Sequence, residues 1–173
     1  LSKQAEPEGA WRGDFFRPEP ATRTESSAEL SSWWEHLPRE HFVLTPHIGE
    51  MQRLLNVEAL DVDHAQVASE AAQRWGQIVV LKSSTTVIAD PQGRTVLYKG
   101  ENPALATGGS GDVLAGAIAG LLAQGLTAFN AALLGVYLHG AAAKIVRDVL
   151  GDMGAIASDL LPRLPLAIRS LKG

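Results

Sequence analysis

Residues 102–112 read NPALATGGSGD and lead directly into the apolar, small-residue stretch VLAGAIAGLL at residues 113–122. Because glycine has no Cβ, Gly108, Gly109 and Gly111 allow backbone N–H groups to converge on one point. The helix predicted to follow adds unpaired N–H groups and a partial positive charge at its N-terminus. The stretch therefore predicts a phosphate-binding site at the start of a buried helix.

Asp112 stands directly beside this predicted anion site. A carboxylate in that position can take the proton from a hydroxyl group as the hydroxyl is phosphorylated. On this interpretation Asp112 is the catalytic base and the glycine N–H groups bind the anion. The alternative is a glycine loop in which Asp112 only caps the helix, since short glycine motifs often match by chance.

The composition is ordinary for a globular protein, with 173 residues, 46% hydrophobic, 20% charged and a formal net charge of −4. Nothing in it indicates a nucleic-acid or membrane surface, and we expect no apolar run to span a bilayer. The absence of cysteine excludes disulfides and thiolate metal sites and fits a cytoplasmic location. Because the sequence starts at Leu1 without a signal-peptide pattern, we expect a processed, cut or partial chain.

Residues 1–28 differ in composition from the rest, being rich in Glu, Pro, Arg and Ser and poor in branched apolar residues. We interpret them as an insertion or flexible arm ahead of a domain at residues 29–173. We expect Trp11, Phe15 and Phe16 to attach this arm to a surface.

The apolar and turn patterns predict strands that alternate with helices. We expect buried strands at residues 41–45 and 77–82, and a β-hairpin at residues 85–98 around the turn DPQG. The predicted helices are 30–37, 49–55, 61–75, 111–124, 128–149 and 153–161. Pro162 and Pro165 are expected to bound the last helix and loosen the tail. This order indicates an α/β layered fold with a mainly parallel sheet flanked by helices.

Five segments together resemble the ADP/ATP-dependent NAD(P)H-hydrate dehydratase family of the ribokinase-like superfamily. They are LTPHIGEM at 44–51, VLKSSTTVI at 80–88, residues 102–116, YLHG at 137–140 and GAIASD at 154–159. The resemblance implies a ribokinase-like fold and a metabolite-repair reaction. In that reaction the hydroxyl of a hydrated nicotinamide ring is phosphorylated by ADP or ATP, and elimination of phosphate restores NADH or NADPH.

The resemblance also implies roles for individual residues. Asp112 is similar to the family's substrate-contacting aspartate and base, and His47 to the histidine that contacts the hydrated nucleotide. Glu50 is similar to the acidic residue that arranges Mg²⁺ and its waters near the phosphates. The nucleotide-binding residues that it implies are Lys82, Ser83, Ser84, Thr85, Thr86, Gly108, Gly109 and Gly111.

Each of these assignments has a structural alternative. His47 could be a loop histidine that bonds to backbone, and Glu50 a first-turn glutamate favoured by the helix dipole. His139 lies in a long apolar helix, where we expect a packing or helix-bonding histidine rather than a catalyst. Ser83 stands where the family usually has glycine, which leaves the phosphate contacts at that position open.

The family's domain has further strands and a substrate loop ahead of the Thr-Pro-His motif, and this sequence lacks them. We therefore expect the C-terminal portion of a domain that associates with its missing N-terminal half or forms a homo-oligomer. The implied ligands are Mg²⁺, ADP or ATP, and hydrated NAD(P)H. Two alternatives stay open, a ribokinase-like kinase of a vitamin-precursor hydroxyl and an inactive, truncated nucleotide-binding remnant.

Overall fold

The structure, a computed structural model, describes residues 32–60, 63–100 and 102–171. Its strands are β1 Val43–Leu44, β2 Ile78–Leu81, β3 Thr86–Ala89 and β4 Thr95–Tyr98. Its α-helices are α1 Ile48–Leu55, α2 His64–Trp75, α3 Ser110–Ala123, α4 Ala128–Leu150, α5 Ala157–Leu160 and α6 Leu164–Leu171. Short 3₁₀-helices lie at Trp33–His36, Pro103–Ala106 and Leu161–Arg163.

The described strands form one mixed sheet in the order β1-β2-β3-β4. β1 runs parallel to β2, with Val43 opposite Ile78. β2 and β3 are antiparallel, with Val80 opposite Ile88, and β3 and β4 are antiparallel as well. The predicted hairpin is confirmed, and because its turn at 90–93 reverses the chain, the described sheet is mixed rather than mainly parallel.

Helices cover both faces of this sheet because successive side chains of a strand point to opposite faces. Val79 and Leu81 of β2 pack with α2 in one core, whereas Ile78 and Val80 pack with α3 and α4 in another. All four β2 side chains are fully buried. The predicted α/β layered arrangement is therefore confirmed, and β2 is its central element.

The sequence of α2 accounts for its bounds. The Asp63 side chain caps the helix by accepting from the Ala65 N–H at 2.8 Å, and Gly76 ends it with a left-handed φ of +66°. Val67 and Ala71 are buried on the face that packs against the sheet. Residues 61 and 62, which the prediction included in this helix, lie outside the described residues.

β1 is shorter and more exposed than predicted. Its two residues, Val43 and Leu44, are half-buried, and the Phe42 side chain is 43% exposed. The sequence run is apolar, but β1 has a described neighbour on one side only, so the prediction of a buried strand at 41–45 was wrong. The fully buried side chain of Gln77 holds this edge by accepting from the Phe42 N–H at 3.1 Å.

The tail continues as helix where we expected it to loosen. Pro162 lies in the first turn of a 3₁₀-helix and Pro165 in the first turn of α6, positions where the missing N–H forms no helical bond. Leu160 and Ala167 are buried, which docks this segment on the fold. The prediction of a loose tail was therefore wrong. Prolines are compatible with the first turn of a helix, and tertiary packing stabilises the helix here.

One helix of the described ranges, the 23-residue α4, is long and apolar enough to cross a membrane by length and composition. That observation corrects our expectation that no apolar run would be able to span a bilayer. The α4 residues pack against the sheet and against α3, and 61% of the most apolar window is buried inside the fold. Burial as a core helix accounts for this apolar composition.

The tryptophans of the first 3₁₀-helix pack against α2. The ring centroids of Trp33 and Trp34 lie 5.9 and 6.4 Å from that of Trp75 in α2. The predicted arm at residues 1–28, with its aromatic residues, lies outside the described residues.

The hairpin turn depends on Asp90, whose side chain is fully buried. Its carboxylate accepts from the N–H groups of Gln92 and Arg94 at 3.0 and 2.9 Å and pairs with the Arg94 guanidinium. We expect Asp90→Ala to lower the free energy of unfolding by about 1–3 kcal/mol because these donors lose their acceptor. Urea unfolding measures the loss, and the exposed neighbour change Gln92→Ala should stay within about 0.5 kcal/mol. Equal losses in the two variants would contradict this role of Asp90.

Candidate active site

The glycine loop is held rigidly at the start of α3. Gly109 is the N-cap residue and has a φ of +87°, a conformation that favours glycine. Behind it, the Ser110 hydroxyl donates to the Leu105 carbonyl at 2.7 Å, and the Thr107 hydroxyl donates to the Ala155 carbonyl at 3.0 Å. These bonds fix the loop from both sides.

The loop also presents unused donors. The N–H groups of Ser110 and Asp112 are bonded to carbonyls of the preceding turn. Those of Gly108, Gly109 and Gly111 donate to no residue in the described part of the chain. A set of unpaired N–H groups at a helix N-terminus, where the helix dipole is positive, is the arrangement that binds phosphate.

Asp112 occupies the first turn of α3 and is exposed. Within the described ranges its carboxylate forms no hydrogen bond or ion pair, and the N-cap position belongs to Gly109. The alternative that Asp112 merely caps the helix therefore lacks its hydrogen bond. The carboxylate instead lines the cavity in front of the loop, where it can accept a proton from a bound hydroxyl.

Lys82 directly follows β2, and its side chain extends towards the glycine loop. Its backbone N–H donates to the Pro46 carbonyl at 2.8 Å, which ties the end of β2 to the segment before α1. Its ammonium Nζ lies 3.9 Å from Glu50 Oε2. A Cβ built on Gly111 would lie only 2.9 Å from Nζ, so the glycine lets this cation approach the N-terminus of α3. The Lys82 ammonium and the positive N-terminus of α3 thus lie close together, and both attract an anion.

His47 and Glu50 form a reciprocal cap at the start of α1. The His47 Nδ1 accepts from the Glu50 N–H at 3.2 Å, and Glu50 Oε2 accepts from the His47 N–H at 2.7 Å. In the neutral imidazole the proton is therefore on Nε2, which lies 3.5 Å from Glu50 Oε1. Both side chains remain partly exposed and line the cavity, so a backbone-bonding role and a ligand-binding role are compatible.

The His47 backbone N–H lowers the pKa of the Glu50 carboxyl, and the nearby charges of Lys82, His47 and Arg53 lower it further, while burial opposes them. A carboxyl whose folded pKa is depressed stabilises the fold above its unfolded pKa and loses that contribution as pH falls through the folded pKa. We expect Glu50→Gln to lower the melting temperature at pH 7. The difference from wild type should shrink as pH falls below the ordinary pKa of 4.5. A pH-independent difference in thermal scans would contradict this electrostatic contribution.

These elements enclose a cavity of about 690 Å³. Every predicted site residue except Thr85 lines it, namely His47, Glu50, Lys82, Ser83, Ser84, Thr86, Gly108, Gly109, Gly111 and Asp112. Thr85 lines a neighbouring cavity of about 390 Å³ together with Ser83 and Ser84, and its carbonyl accepts from the Ser83 hydroxyl at 2.6 Å. The fold thus brings three segments that are distant in the chain into one site.

A family profile for NAD(P)H-hydrate dehydratases matches residues 26–164, which is most of the chain. The chain belongs to this family. It is 46% identical over 132 residues to the bifunctional NAD(P)H-hydrate repair enzyme Nnr of Moorella thermoacetica, covering 75% of this chain and 25% of the relative. It is 39% identical over 126 residues to the ADP-dependent (S)-NAD(P)H-hydrate dehydratase of Xanthomonas campestris, covering 72% of this chain and 44% of that one.

The fold agrees with solved NAD(P)H-hydrate dehydratases. The ADP/ATP-dependent enzyme from Bacillus subtilis, co-crystallised with ATP/Mg²⁺, is 38% identical with a TM-score of 0.68, over 74% of this chain and 47% of that one. A ribokinase-like superfamily protein from Enterococcus faecalis gives a TM-score of 0.63 at 32% identity, over 76% of this chain and 45% of that one. The ribokinase-like prediction is confirmed. The chain spans between a quarter and about half the length of these relatives.

Sequence reasoning did not assign to the site six polar residues that line the cavity of this NAD(P)H-hydrate dehydratase family member, namely Thr45, Tyr98, Asn102, Thr107, Ser110 and His139. Tyr98 enters because Gly140 has no side chain, since a Cβ there would overlap the tyrosine hydroxyl. Burial raises the pKa of Tyr98. The signal available for His139 was the YLHG segment at 137–140 within the apolar α4, and the histidine was interpreted as a packing or helix-bonding residue.

Proposed function

We propose that this chain contributes the nucleotide-binding loop and the base of an NAD(P)H-hydrate dehydratase, which restores NADH or NADPH from its hydrate at the expense of ADP or ATP. The observation that carries the proposal is that Lys82, the unpaired glycine N–H groups and Asp112 converge on one cavity. The names of the relatives support the substrate class, since they are repair enzymes and dehydratases of NAD(P)H hydrate.

The geometry suits a phosphoryl transfer followed by an elimination. The transferred phosphoryl group is bound by the N–H groups of Gly108, Gly109 and Gly111 and by the Lys82 ammonium, which offset its negative charge. As the ring hydroxyl of the hydrate attacks phosphorus, Asp112 takes the hydroxyl proton and the nucleotide leaves with one phosphate fewer. The ring C–O bond then breaks and releases phosphate, the neighbouring ring carbon loses a proton to solvent, and the double bond is restored. His47, beside the same cavity, orients the hydrated nucleotide.

The described residues fit Mg²⁺ only as an ion that arrives with the nucleotide. Within the described ranges no group of three or more His, Asp or Glu side chains gathers as a protein-built metal site. Mg²⁺ commonly keeps several waters and binds through one or two carboxylates together with substrate phosphates. Glu50, ionised and at the cavity wall, is the carboxylate that would contact those waters. The bound ion would neutralise charge on the phosphates.

The test is an assay of the full-length protein that carries this chain, with chemically hydrated NADPH and either ADP or ATP. We expect NADPH absorbance to return together with AMP or ADP and phosphate. A phosphorylated product from a vitamin-precursor alcohol, without NADPH recovery, would support the kinase instead. Nucleotide binding by calorimetry without any turnover would support the inactive, nucleotide-binding remnant.

The position of the nucleotide can be tested separately. We propose that the phosphates of ADP lie at the N-terminus of α3, with the segment Lys82–Thr86 nearby. A crystal structure of the protein with ADP should show phosphate density at the glycine loop. Density elsewhere, with the loop empty, would overturn the assignment of the anion site.

A further inference from the structure

His139 is buried beneath the anion site without a complete set of partners. Its side chain is 7% exposed and lines the cavity from α4. Its Nε2 is fully enclosed and has no hydrogen-bond partner among the described residues. Buried polar atoms are nearly always satisfied in native proteins, and leaving one unpaired costs stability. The unpaired nitrogen therefore needs a partner beyond the hydrogen bonds that the described residues form.

The Lys82 ammonium, by contrast, has hydrogen-bond donors without described acceptors. It carries three N–H donors, yet it forms no hydrogen bond within the described residues, and its ion-pair partner Glu50 Oε2 lies 3.9 Å away. The ammonium is held against the start of α3, where the helix dipole is also positive. An acceptor without a donor and a donor without an acceptor thus line the same cavity.

The imidazole is suited to accept rather than donate. Burial lowers the pKa of His139 and the Lys82 charge lowers it further, while a hydrogen bond to the Ser110 backbone raises it. Both side chains line the same cavity, so the Lys82 charge faces the imidazole across it. A neutral imidazole with its proton on Nδ1 leaves the Nε2 lone pair available to an ammonium donor.

We propose that His139 is a positioning residue for Lys82, whose ammonium donates to His139 Nε2 when an anion occupies the glycine loop. The three ammonium donors are then directed to the Glu50 carboxylate, the His139 imidazole and the anion. The inference rests on the proposed function in one respect, because the anion is taken to be a nucleotide phosphate. α4 gives the support rigidity, since the residues around His139 are buried in the core.

Three substitutions at one position test the contact in the full-length protein. A glutamine amide reaches the position of the imidazole Nε2, whereas an asparagine amide reaches only that of Nδ1. We expect His139→Gln to bind ADP within about threefold of wild type, and His139→Asn and His139→Leu to bind it about tenfold more weakly. Equal ADP affinity of the Gln and Asn variants by calorimetry, or unchanged affinity of the Leu variant, would overturn the proposal.

A double-mutant cycle shows whether His139 acts through Lys82. We expect Lys82→Met combined with His139→Leu to bind ADP no more weakly than Lys82→Met alone. Additive losses would assign His139 another role and overturn the proposal. The exposed His36→Leu is the matched control and should keep wild-type affinity, and circular dichroism checks that each variant is folded. Wild-type protein that does not bind ADP would refute the proposed function instead.

Discussion

Asp112→Asn is expected to lower turnover of hydrated NAD(P)H by about two to four orders of magnitude, the typical loss when a general base is removed. The amide has nearly the same size as the carboxylate but cannot take the hydroxyl proton. Within the described ranges the Asp112 carboxylate forms no hydrogen bond or ion pair, so the change breaks no structural contact. Loss of a negative charge in the first turn of α3 costs only about 0.3–1 kcal/mol through the helix dipole.

The prediction is checked by single-turnover assays and by ADP calorimetry on the same preparation. Asp148→Asn is the matched control, since Asp148 is exposed near the C-terminal end of α4 and pairs with Lys144 outside the cavity. We expect this control to keep wild-type turnover and Asp112→Asn to keep wild-type ADP affinity. Substantial turnover in Asp112→Asn would refute the base assignment. Loss of ADP binding would place Asp112 in the nucleotide site instead.

Local signals in the sequence were sufficient for much of the fold. The hairpin was predictable because the DPQG turn at residues 90–93 separates two β-prone runs, and the buried β2 because its residues are apolar without a break. The glycine loop and α3 followed from residues 102–122 in the same way. Each of these features depends on neighbours within about ten residues, where turn chemistry and apolar periodicity act directly.

Features that depend on distant packing were not predictable in this way. The apolar run at 41–45 has the composition of a buried strand, yet its exposure depends on which strands lie beside it. Pro165 is a helix breaker by sequence, but packing of Ala167 stabilises a helix that uses the proline in its first turn. The YLHG segment did not reveal that His139 faces the cavity, because helix register in the tertiary fold decides which face of α4 meets the cavity.

The candidate site, like the fold, could be predicted from local sequence only in part. Spacing alone indicated the anion loop and Asp112, whereas the roles of His47 and Lys82 came from the family resemblance. The structure supplies a physical connection, since the Lys82 backbone pairs with the segment that leads into α1. The same side chains stabilise the fold and line the cavity. His47 is an example of such a side chain. Its Nδ1 caps α1, and this hydrogen bond fixes the direction of the other ring nitrogen, Nε2.

Gly111→Val is expected to weaken ADP binding about tenfold to a hundredfold, the range for losing a hydrogen bond to a charged group. A Cβ at this position would lie 2.9 Å from Lys82 Nζ, and valine adds two methyl groups beyond it. The flexible end of the lysine can move aside, so we expect the protein to fold. The ammonium would then leave the N-terminus of α3, and the side chain would block the path of a phosphate to the loop.

Gly116→Val is the matched control, because it places the same residue in the same helix. A Cβ on Gly116 meets no atom within 4 Å, so the control carries the helix-propensity cost of valine without the contact at Lys82. ADP calorimetry on both variants, with circular dichroism to confirm folding, measures the difference. We expect the control to keep wild-type affinity. Equal affinity of the two variants would mean that the phosphate does not approach along Gly111, and the anion site would have to be placed elsewhere in the cavity.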